Sequence, residues 1–184
     1  RWPDWRRARA GIVRTFQHGR TFANLSVADN LLVGTEPHRR WSDLFRDPPL
    51  LKAQTLALLE PFGDRLAPRA DEPAYRFSYA NRRRLEIARA LAARPRVLLL
   101  DEPTAGMNPA ETLEILEFLQ TLKTKGQAMV VIEHKLPLIL PLADRVMVLD
   151  HGAVLAEGPP LDIPRDPRVI AAYLGTRRGD SHDT

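Results

Sequence analysis

One apolar run that ends in paired carboxylates constrains the fold of this chain more than any other feature. Residues 97–100 have the length and continuous hydrophobicity of a strand covered on both faces of a parallel sheet. Asp101 and Glu102 follow directly, so the carboxylates are expected at the carboxyl edge of that sheet, where open α/β folds bind ligands. Such oxygens suit Mg²⁺, and a neighbouring carboxylate can orient a water for attack on a phosphate. From these residues alone, a strand end with solvated acids is the alternative.

The residues after this run alternate between strand-like and helix-like patterns. Residues 129–132 form a second short apolar run, and residues 111–123 between the two runs place leucines at a helical spacing. Residues 146–150 and 153–157 flank the pair His151-Gly152, an arrangement typical of a β-hairpin. Together these patterns predict an α/β fold.

The composition excludes several classes of site. The 184 residues include no cysteine, which excludes disulfide scaffolds, thiolate zinc sites and cysteine nucleophiles. No run approaches the roughly 18 apolar residues of a transmembrane helix. The net charge of +4, from 27 Lys and Arg against 23 Asp and Glu, is spread along the chain and does not indicate nucleic-acid binding.

A translated chain opens with Met, so the start at Arg1 leads us to expect a piece of a longer protein.

Five sequence blocks occur in the order found in ABC ATPases, the ATP-binding cassettes of ABC transporters. They are Thr15-Phe16-Gln17, which resembles the Q-loop; Phe77-Ser78-Tyr79-Ala80-Asn81, which resembles the signature motif; residues 97–103, which resemble the Walker B strand; Ala105-Gly106-Met107-Asn108-Pro109, which resembles the D-loop; and Ile132-Glu133-His134, which resembles the switch-histidine strand. One block alone is a weak signal, but the ordered set is highly specific. The resemblance extends from about residue 11 to residue 175.

The resemblance implies a partial P-loop NTPase fold of the α/β class, with a helical subdomain and the C-terminal part of a mainly parallel sheet. Residues 1–40 would form the Q-loop region, 41–94 the helical signature subdomain, 95–160 the Walker B, D-loop and switch-histidine core, and 161–184 a C-terminal extension and tail. The segment 41–94 is rich in Leu, Ala and Arg at a helical spacing, which agrees with the subdomain assigned to it.

The chain departs from the family at the phosphate-binding loop. That loop needs Gly-x-x-x-x-Gly-Lys followed by Ser or Thr, because glycines let backbone N–H groups surround the phosphates and the lysine neutralises them. This sequence contains no Gly-Lys pair. The family places the motif upstream of the Q-loop, so we expect the chain to lack its own Walker A region.

The resemblance assigns the hydrolytic chemistry to four side chains. Asp101 and Gln17 would belong to the Mg²⁺ shell, and Glu102 would order the water that attacks the γ-phosphate of ATP. His134 would hold that phosphate, and Gln17 would also reach the attacking water. These roles agree with the physics of phosphoryl transfer, which depends on positioning and charge stabilisation. A lone histidine after a strand is more often structural, but the place of His134 after the acidic pair favours catalysis.

The signature block opens a predicted helix, whose free N–H groups and positive dipole end favour bound phosphate. The resemblance implies that Ser78, Tyr79, Ala80 and Asn81 bind the γ-phosphate of ATP on the opposite subunit. The D-loop residue Asn108 would contribute to nucleotide binding as well. An ordinary N-cap is the alternative for Ser78.

Two features of this block carry further expectations. Ala80 and Asn81 stand where the family has glycine and glutamine. We expect a right-handed backbone at Ala80, with its methyl group blocking the approach of phosphate, so that Ala80→Gly would raise ATPase activity. The run Arg82-Arg83-Arg84 is interpreted as a solvated helix face, with phosphate contact as the alternative.

Three further segments, residues 23–34, 82–89 and 169–175, are similar to the ATPases of branched-chain amino-acid importers. The resemblance implies an ATP-binding and ATP-hydrolysing subunit that pairs with an identical or different second cassette beneath transmembrane permease subunits. A periplasmic or extracellular substrate-binding protein would be an indirect partner, and the location would be peripheral, at the cytoplasmic face of the plasma membrane. No nucleic-acid partner is expected. The alternatives are an inactive remnant of such a subunit and a soluble ABC protein acting on nucleic acid or ribosomes.

Overall fold

A computed structural model describes residues 2–15, 21–35, 57, 59, 62 and 65–174. The chain divides into two compact units, Arg1–His134 and Lys135–Thr184. Most of the predicted helical segment between residues 41 and 64 lies outside the described residues, as does Gln17. No helix in the described ranges is long and apolar enough to cross a membrane.

The described part of the first unit contains a parallel sheet of three strands. Its strands are β1 (Ile12–Arg14), β2 (Val97–Asp101) and β3 (Ala128–Ile132), in the spatial order β1-β2-β3. The register pairs Val97 with Ile12 on one side and with Ala128 on the other. The strand that carries the acidic pair is therefore the central strand, and the predicted strand, helix, strand order is confirmed.

The two faces of this sheet differ in burial. Leu98 and Leu100 of β2 are buried, whereas Leu99 is only partly buried and its neighbour Val130 on β3 is exposed. Successive side chains of a strand point to opposite faces, so one face lies on the core and the other is open. The expectation of a strand covered on both faces is therefore met on one face only, because the described residues of this unit place no layer over the other.

Four α-helices lie in the described residues of the first unit. They are α1 (Asp4–Arg9), α2 (Val27–Thr35), α3 (Tyr79–Ala92) and α4 (Pro109–Thr124), with short 3₁₀ helices at Ala67–Arg69 and Ala74–Arg76. Ser78 caps α3 by accepting a hydrogen bond at Oγ from the Asn81 amide at 3.4 Å. A side-chain oxygen at this position satisfies one of the amides left free at a helix start.

Helix α3 packs against α2 through a close backbone approach. Gly34 of α2 lies so near α3 that a Cβ atom there would stand 2.3 Å from the carbonyl oxygen of Arg89. The loop before α2 is held by Asn30, which is fully buried and donates hydrogen bonds at Nδ2 to the carbonyl oxygens of Phe22, Leu25 and Ser26. The close packing of α2 on α3 at Gly34 orients α3, which is the helix that the signature block opens.

The second unit is built on an antiparallel hairpin. Strands β4 (Val146–Asp150) and β5 (Ala153–Gly158) are joined by His151 and Gly152, both with positive φ, of 46° and 80°. Positive φ at both central positions is typical of the hairpin turns that match strand twist, so the predicted hairpin is confirmed. Helices α5 (Leu136–Ile139) and α6 (Pro167–Leu174) accompany the hairpin, with a 3₁₀ turn at Ile163–Arg165. A small core of Val146, Ala156, Ile163 and Val169 holds this unit together.

Candidate functional site

The carboxyl ends of β2 and β3 bring the predicted catalytic residues to one edge of the sheet. The register pairs Asp101 with Ile132, the last residues of their strands. The Glu102 amide then donates a hydrogen bond to the Ile132 carbonyl at 2.9 Å, which continues the pairing by one step. Glu102 has φ +44°, a left-handed backbone that residues with a Cβ rarely adopt. The chain therefore turns sharply where the predicted catalytic carboxylate begins.

This turn places Glu102 beside His134. Glu102 Oε1 lies 3.5 Å from His134 Nδ1. The histidine side chain is 63% exposed and the glutamate side chain 25% exposed, so both can meet a ligand from solvent. Two side chains that are distant in sequence, and that were expected to act together, form one cluster.

A second carboxylate, which the sequence interpretation left without a role, completes this cluster. The Glu133 side chain is only 2% exposed, and its Oε2 lies 3.9 Å from His134 Nδ1. Its Oε1 accepts a 2.5 Å hydrogen bond from the Thr104 hydroxyl, which anchors the acid to the turn after β2. The ring nitrogen of His134 therefore faces two carboxylates. The available signal was an acidic residue between an apolar strand and the histidine, but its partner Thr104 is distant in sequence.

Asp101, the predicted Mg²⁺ ligand, is paired with a cation. Its Oδ2 accepts a 2.8 Å hydrogen bond from Nη2 of Arg14, at the end of β1. No group of three or more His, Cys, Asp or Glu side chains in the described part of the chain could hold a metal ion unaided. A Mg²⁺ site of the kind that keeps one or two carboxylates and completes its shell with phosphate and water oxygens is compatible with this arrangement. Asp101 would be the carboxylate of such a site, and its role stays a prediction.

The start of α3 presents the signature block at a conventional helix N-terminus. Ser78 forms the ordinary N-cap that is the alternative to phosphate binding, and Asn81 Oδ1 accepts a 2.7 Å hydrogen bond from Arg84. The exposed ring of Tyr79 lies against Gly106, where an added Cβ would stand 3.1 Å from Cε1 of the ring. The signature block and the D-loop block are therefore neighbours within one chain, while their contact with nucleotide stays a prediction.

Ala80 differs from its expected setting. It lies in the first turn of α3 and is not among the described residues with positive φ, so the expected right-handed backbone is confirmed. However, only 2% of its surface is exposed. A methyl group buried in the chain's own core does not reach an external phosphate, so the expectation that it blocks the ligand does not hold in this structure.

The interpretation of the arginine run as a solvated face is wrong for two of its three members. Arg83 and Arg84 are both buried. Arg83 Nη1 donates to Glu86 Oε2 at 2.6 Å, and Arg84 donates to Glu114 and Asn81. Burial of a guanidinium is tolerated when carboxylates and carbonyls satisfy its charge and its N–H groups. Glu114 comes near Arg84 only in the fold, so the charge run alone could not reveal this burial.

Asn108 has a structural role in the described chain. Its Oδ1 accepts a 2.9 Å hydrogen bond from the Glu111 amide, and Glu111 Oε2 accepts one from the Asn108 amide at 3.1 Å. This reciprocal pair is a capping box that starts α4. Nucleotide contact by the exposed Asn108 stays a prediction.

Comparison with protein families agrees with the motif order. A model described as ABC transporter matches residues 2–105, and one described as branched-chain amino acid ATP-binding cassette transporter matches residues 153–178. The high-affinity branched-chain amino acid transport ATP-binding protein LivG of Escherichia coli is 40% identical over 183 residues, covering 94% of this chain and 71% of that protein. The corresponding protein BraF of Pseudomonas aeruginosa is 38% identical over 183 residues, with 94% and 71% covered.

Comparison with solved structures supports the same assignment of the fold. A crystal structure of the ADP conformation of an ATP-binding cassette of an ABC transporter matches with a TM-score of 0.79 and 28% identity, covering 95% of this chain and 72% of that chain. A nucleotide-free ATP-binding cassette matches with a TM-score of 0.78 and 27% identity, covering 95% and 73%. The α/β fold of the P-loop NTPase type is therefore confirmed. The chain belongs to the ATP-binding cassette family of ABC transporters.

Proposed function

We propose that this chain is the ATP-hydrolysing part of an ABC importer for branched-chain amino acids, acting beneath permease subunits at the cytoplasmic face of the plasma membrane. The observation that carries the hydrolytic role is the 3.5 Å approach of Glu102 Oε1 to His134 Nδ1 at the carboxyl edge of the sheet. The relatives named above, which are branched-chain amino acid transport ATP-binding proteins, support the transport role and its substrate class.

In this proposal Glu102 accepts a hydrogen bond from a water and aims it at the terminal phosphate of ATP. The exposed imidazole of His134 binds that phosphate from the side, while its Nδ1 faces Glu102 at 3.5 Å and Glu133 at 3.9 Å. A bound Mg²⁺ would supply charge neutralisation of the phosphates. Proton transfer to a positioned base typically contributes about 10²–10⁴-fold to a rate, which is the share assigned here to Glu102.

Hydrolysis also requires a phosphate-binding loop. The 184-residue sequence contains no Gly-Lys pair, so in our proposal turnover occurs in a cassette where other residues supply that motif. The 184 residues alone are then inactive. The nucleotide-binding roles that the resemblance implies are kept in this proposal for Gln17, Ser78, Tyr79, Ala80, Asn81 and Asn108. The signature residues among them serve the ATP of a second cassette.

Reconstitution with candidate permease partners tests this function. The native cassette, with any residues it carries beyond these 184, is assembled with the permease proteins encoded beside it and with their binding protein. We expect the rate of ATP hydrolysis to rise several-fold when the binding protein carries leucine, isoleucine or valine, because the transporter couples hydrolysis to delivery of the bound amino acid. Stimulation by a different solute class would contradict the substrate assignment. Absence of hydrolysis in the assembled complex would favour the inactive remnant.

A further inference from the structure

Arg83 joins the signature helix to the turn that carries Glu102. It lies in the second turn of α3, and its side chain is 3% exposed. Its Nη2 donates to the carbonyl oxygens of Asp101 and Glu102, the latter at 3.2 Å, while Nη1 donates to Glu86 Oε2. One guanidinium therefore holds the two carbonyl groups on either side of the Glu102 backbone.

These carbonyl contacts matter because the Glu102 backbone is strained. Its left-handed conformation is unfavourable for a residue with a Cβ, so the surrounding contacts must maintain it. The flat fork of a guanidinium presents N–H groups at fixed angles, which lets it fix both carbonyls while it stays paired with Glu86. A rotation of the peptide groups around Glu102 would move its carboxylate away from His134.

We propose that Arg83 is a positioning residue, which fixes the Glu102 turn and couples the signature helix to the hydrolytic carboxylate of the same chain. The proposal rests on the function proposed above. There, the N-terminus of α3 serves the nucleotide of a second cassette, whereas Glu102 serves the nucleotide of its own. A shift of α3 on binding the partner's ATP would reach Glu102 through Arg83, so one side chain links two nucleotide sites.

Two variants separate positioning from simple structural support. Arg83→Lys keeps a cation but has one nitrogen in place of the fork, so it lacks the separate Nη1 and Nη2 groups that contact Glu86 and the two carbonyls at once. The double variant Arg83→Met with Glu86→Leu removes both buried charges together, a replacement that proteins often tolerate. Leu119→Ala is the matched control, because it removes a fully buried side chain from α4, a helix that carries neither Arg83 nor Glu102. Glu102→Gln serves as the reference for loss of hydrolysis.

The first readout needs no nucleotide. Hydrogen exchange of the Glu102 amide, which is bonded to the Ile132 carbonyl, is measured in the native cassette without nucleotide and compared with exchange at Leu98. We expect both Arg83 variants to accelerate exchange at Glu102 by at least about tenfold more than at Leu98, because the turn opens locally. Leu119→Ala is expected to accelerate both amides alike. Equal acceleration in the Arg83 variants, or failure of both variants to fold, would show a structural residue and overturn the proposal.

The second readout is turnover in the native cassette, at a temperature where every variant is folded. We expect kcat to fall at least about tenfold in both Arg83 variants with KM for ATP changed less than about threefold, since Arg83 touches the catalytic turn and not the ligand. A kcat within about twofold of the parent would contradict the proposal. If Glu102→Gln turns over at the parental rate, the proposed function fails instead, and the exchange experiment still judges Arg83.

Discussion

Replacement of Gly34 by alanine tests the helix packing that orients the signature block. In an exposed helix this change is normally stabilising by about 1 kcal/mol, because glycine is the poorer helix former. At Gly34 the added Cβ would stand 2.3 Å from the Arg89 carbonyl oxygen and 3.0 Å from the Ala92 Cβ. A carbon and a carbonyl oxygen normally come no nearer than about 3.3 Å, so the two helices would have to separate by roughly 1 Å.

The size of the effect follows from these opposing contributions. Inserting a methyl group into a packed contact typically costs about 1–3 kcal/mol, and the first obstacle here is a backbone atom that cannot rotate away. The backbone obstacle places the cost in the upper part of that range, about 2–3 kcal/mol, so subtracting the gain in helix propensity of about 1 kcal/mol leaves a net destabilisation of about 1–2 kcal/mol. For a chain of this size, that corresponds to a fall in melting temperature of about 2–8 °C.

Urea unfolding followed by circular dichroism measures this change as a shift of the midpoint at constant slope. Val33→Ala is the matched control, since Val33 is in the same helix and 38% exposed. We expect that control to change the free energy of unfolding by less than about 0.5 kcal/mol. A Gly34→Ala variant that is more stable than the parent would refute the close approach of α2 and α3.

Two other changes have expected outcomes. Ala80→Gly should lower the free energy of unfolding by about 1–2 kcal/mol, through lost helix propensity and a lost buried methyl, without raising ATPase activity; a several-fold gain in turnover at unchanged stability would contradict the burial. Hydrogen bonds from Arg168 lower the pKa of Asp166 from 3.8 to about 2. Because this pKa is lowered, the ionised Asp166 stabilises the fold at pH values above 3.8, and that stabilisation is lost as the pH falls towards about 2. Asp166→Asn should therefore flatten the pH dependence of stability between pH 3.8 and about 2. An Asp166 midpoint near 4, measured by NMR titration, would exclude this pair.

The sequence predicted the features that arise from local patterns. The apolar runs at 97–100 and 129–132 form adjacent parallel strands, and His151 with Gly152 forms the hairpin turn. The meeting of Glu102 with His134 was also predictable, because the carboxyl ends of parallel strands share one edge of a sheet. Each of these features could be predicted from the spacing of residues within one helix or strand, or from the order of helices and strands along the chain.

What the sequence did not reveal depends on partners that are distant in the chain. Arg83 and Arg84 look like a solvated charge run, and their distant partners are the carbonyls at the end of β2 and Glu114. The place of Glu133 depends on the Thr104 hydroxyl, which lies in another loop. Buried polar groups are specified by hydrogen-bond partners, so residue type and periodicity alone do not identify them.

The central claim is that Glu102 and His134 act as one hydrolytic unit. Its most direct test is the kcat of the native cassette, measured for the parent, Glu102→Gln, His134→Ala and the double variant. Since residues that act as a unit are not additive, we expect each single change to lower kcat by about 10²-fold or more and the double variant to be no slower than the worse single variant within about threefold. Full multiplication of the two single losses, or parental turnover by Glu102→Gln, would contradict the claim.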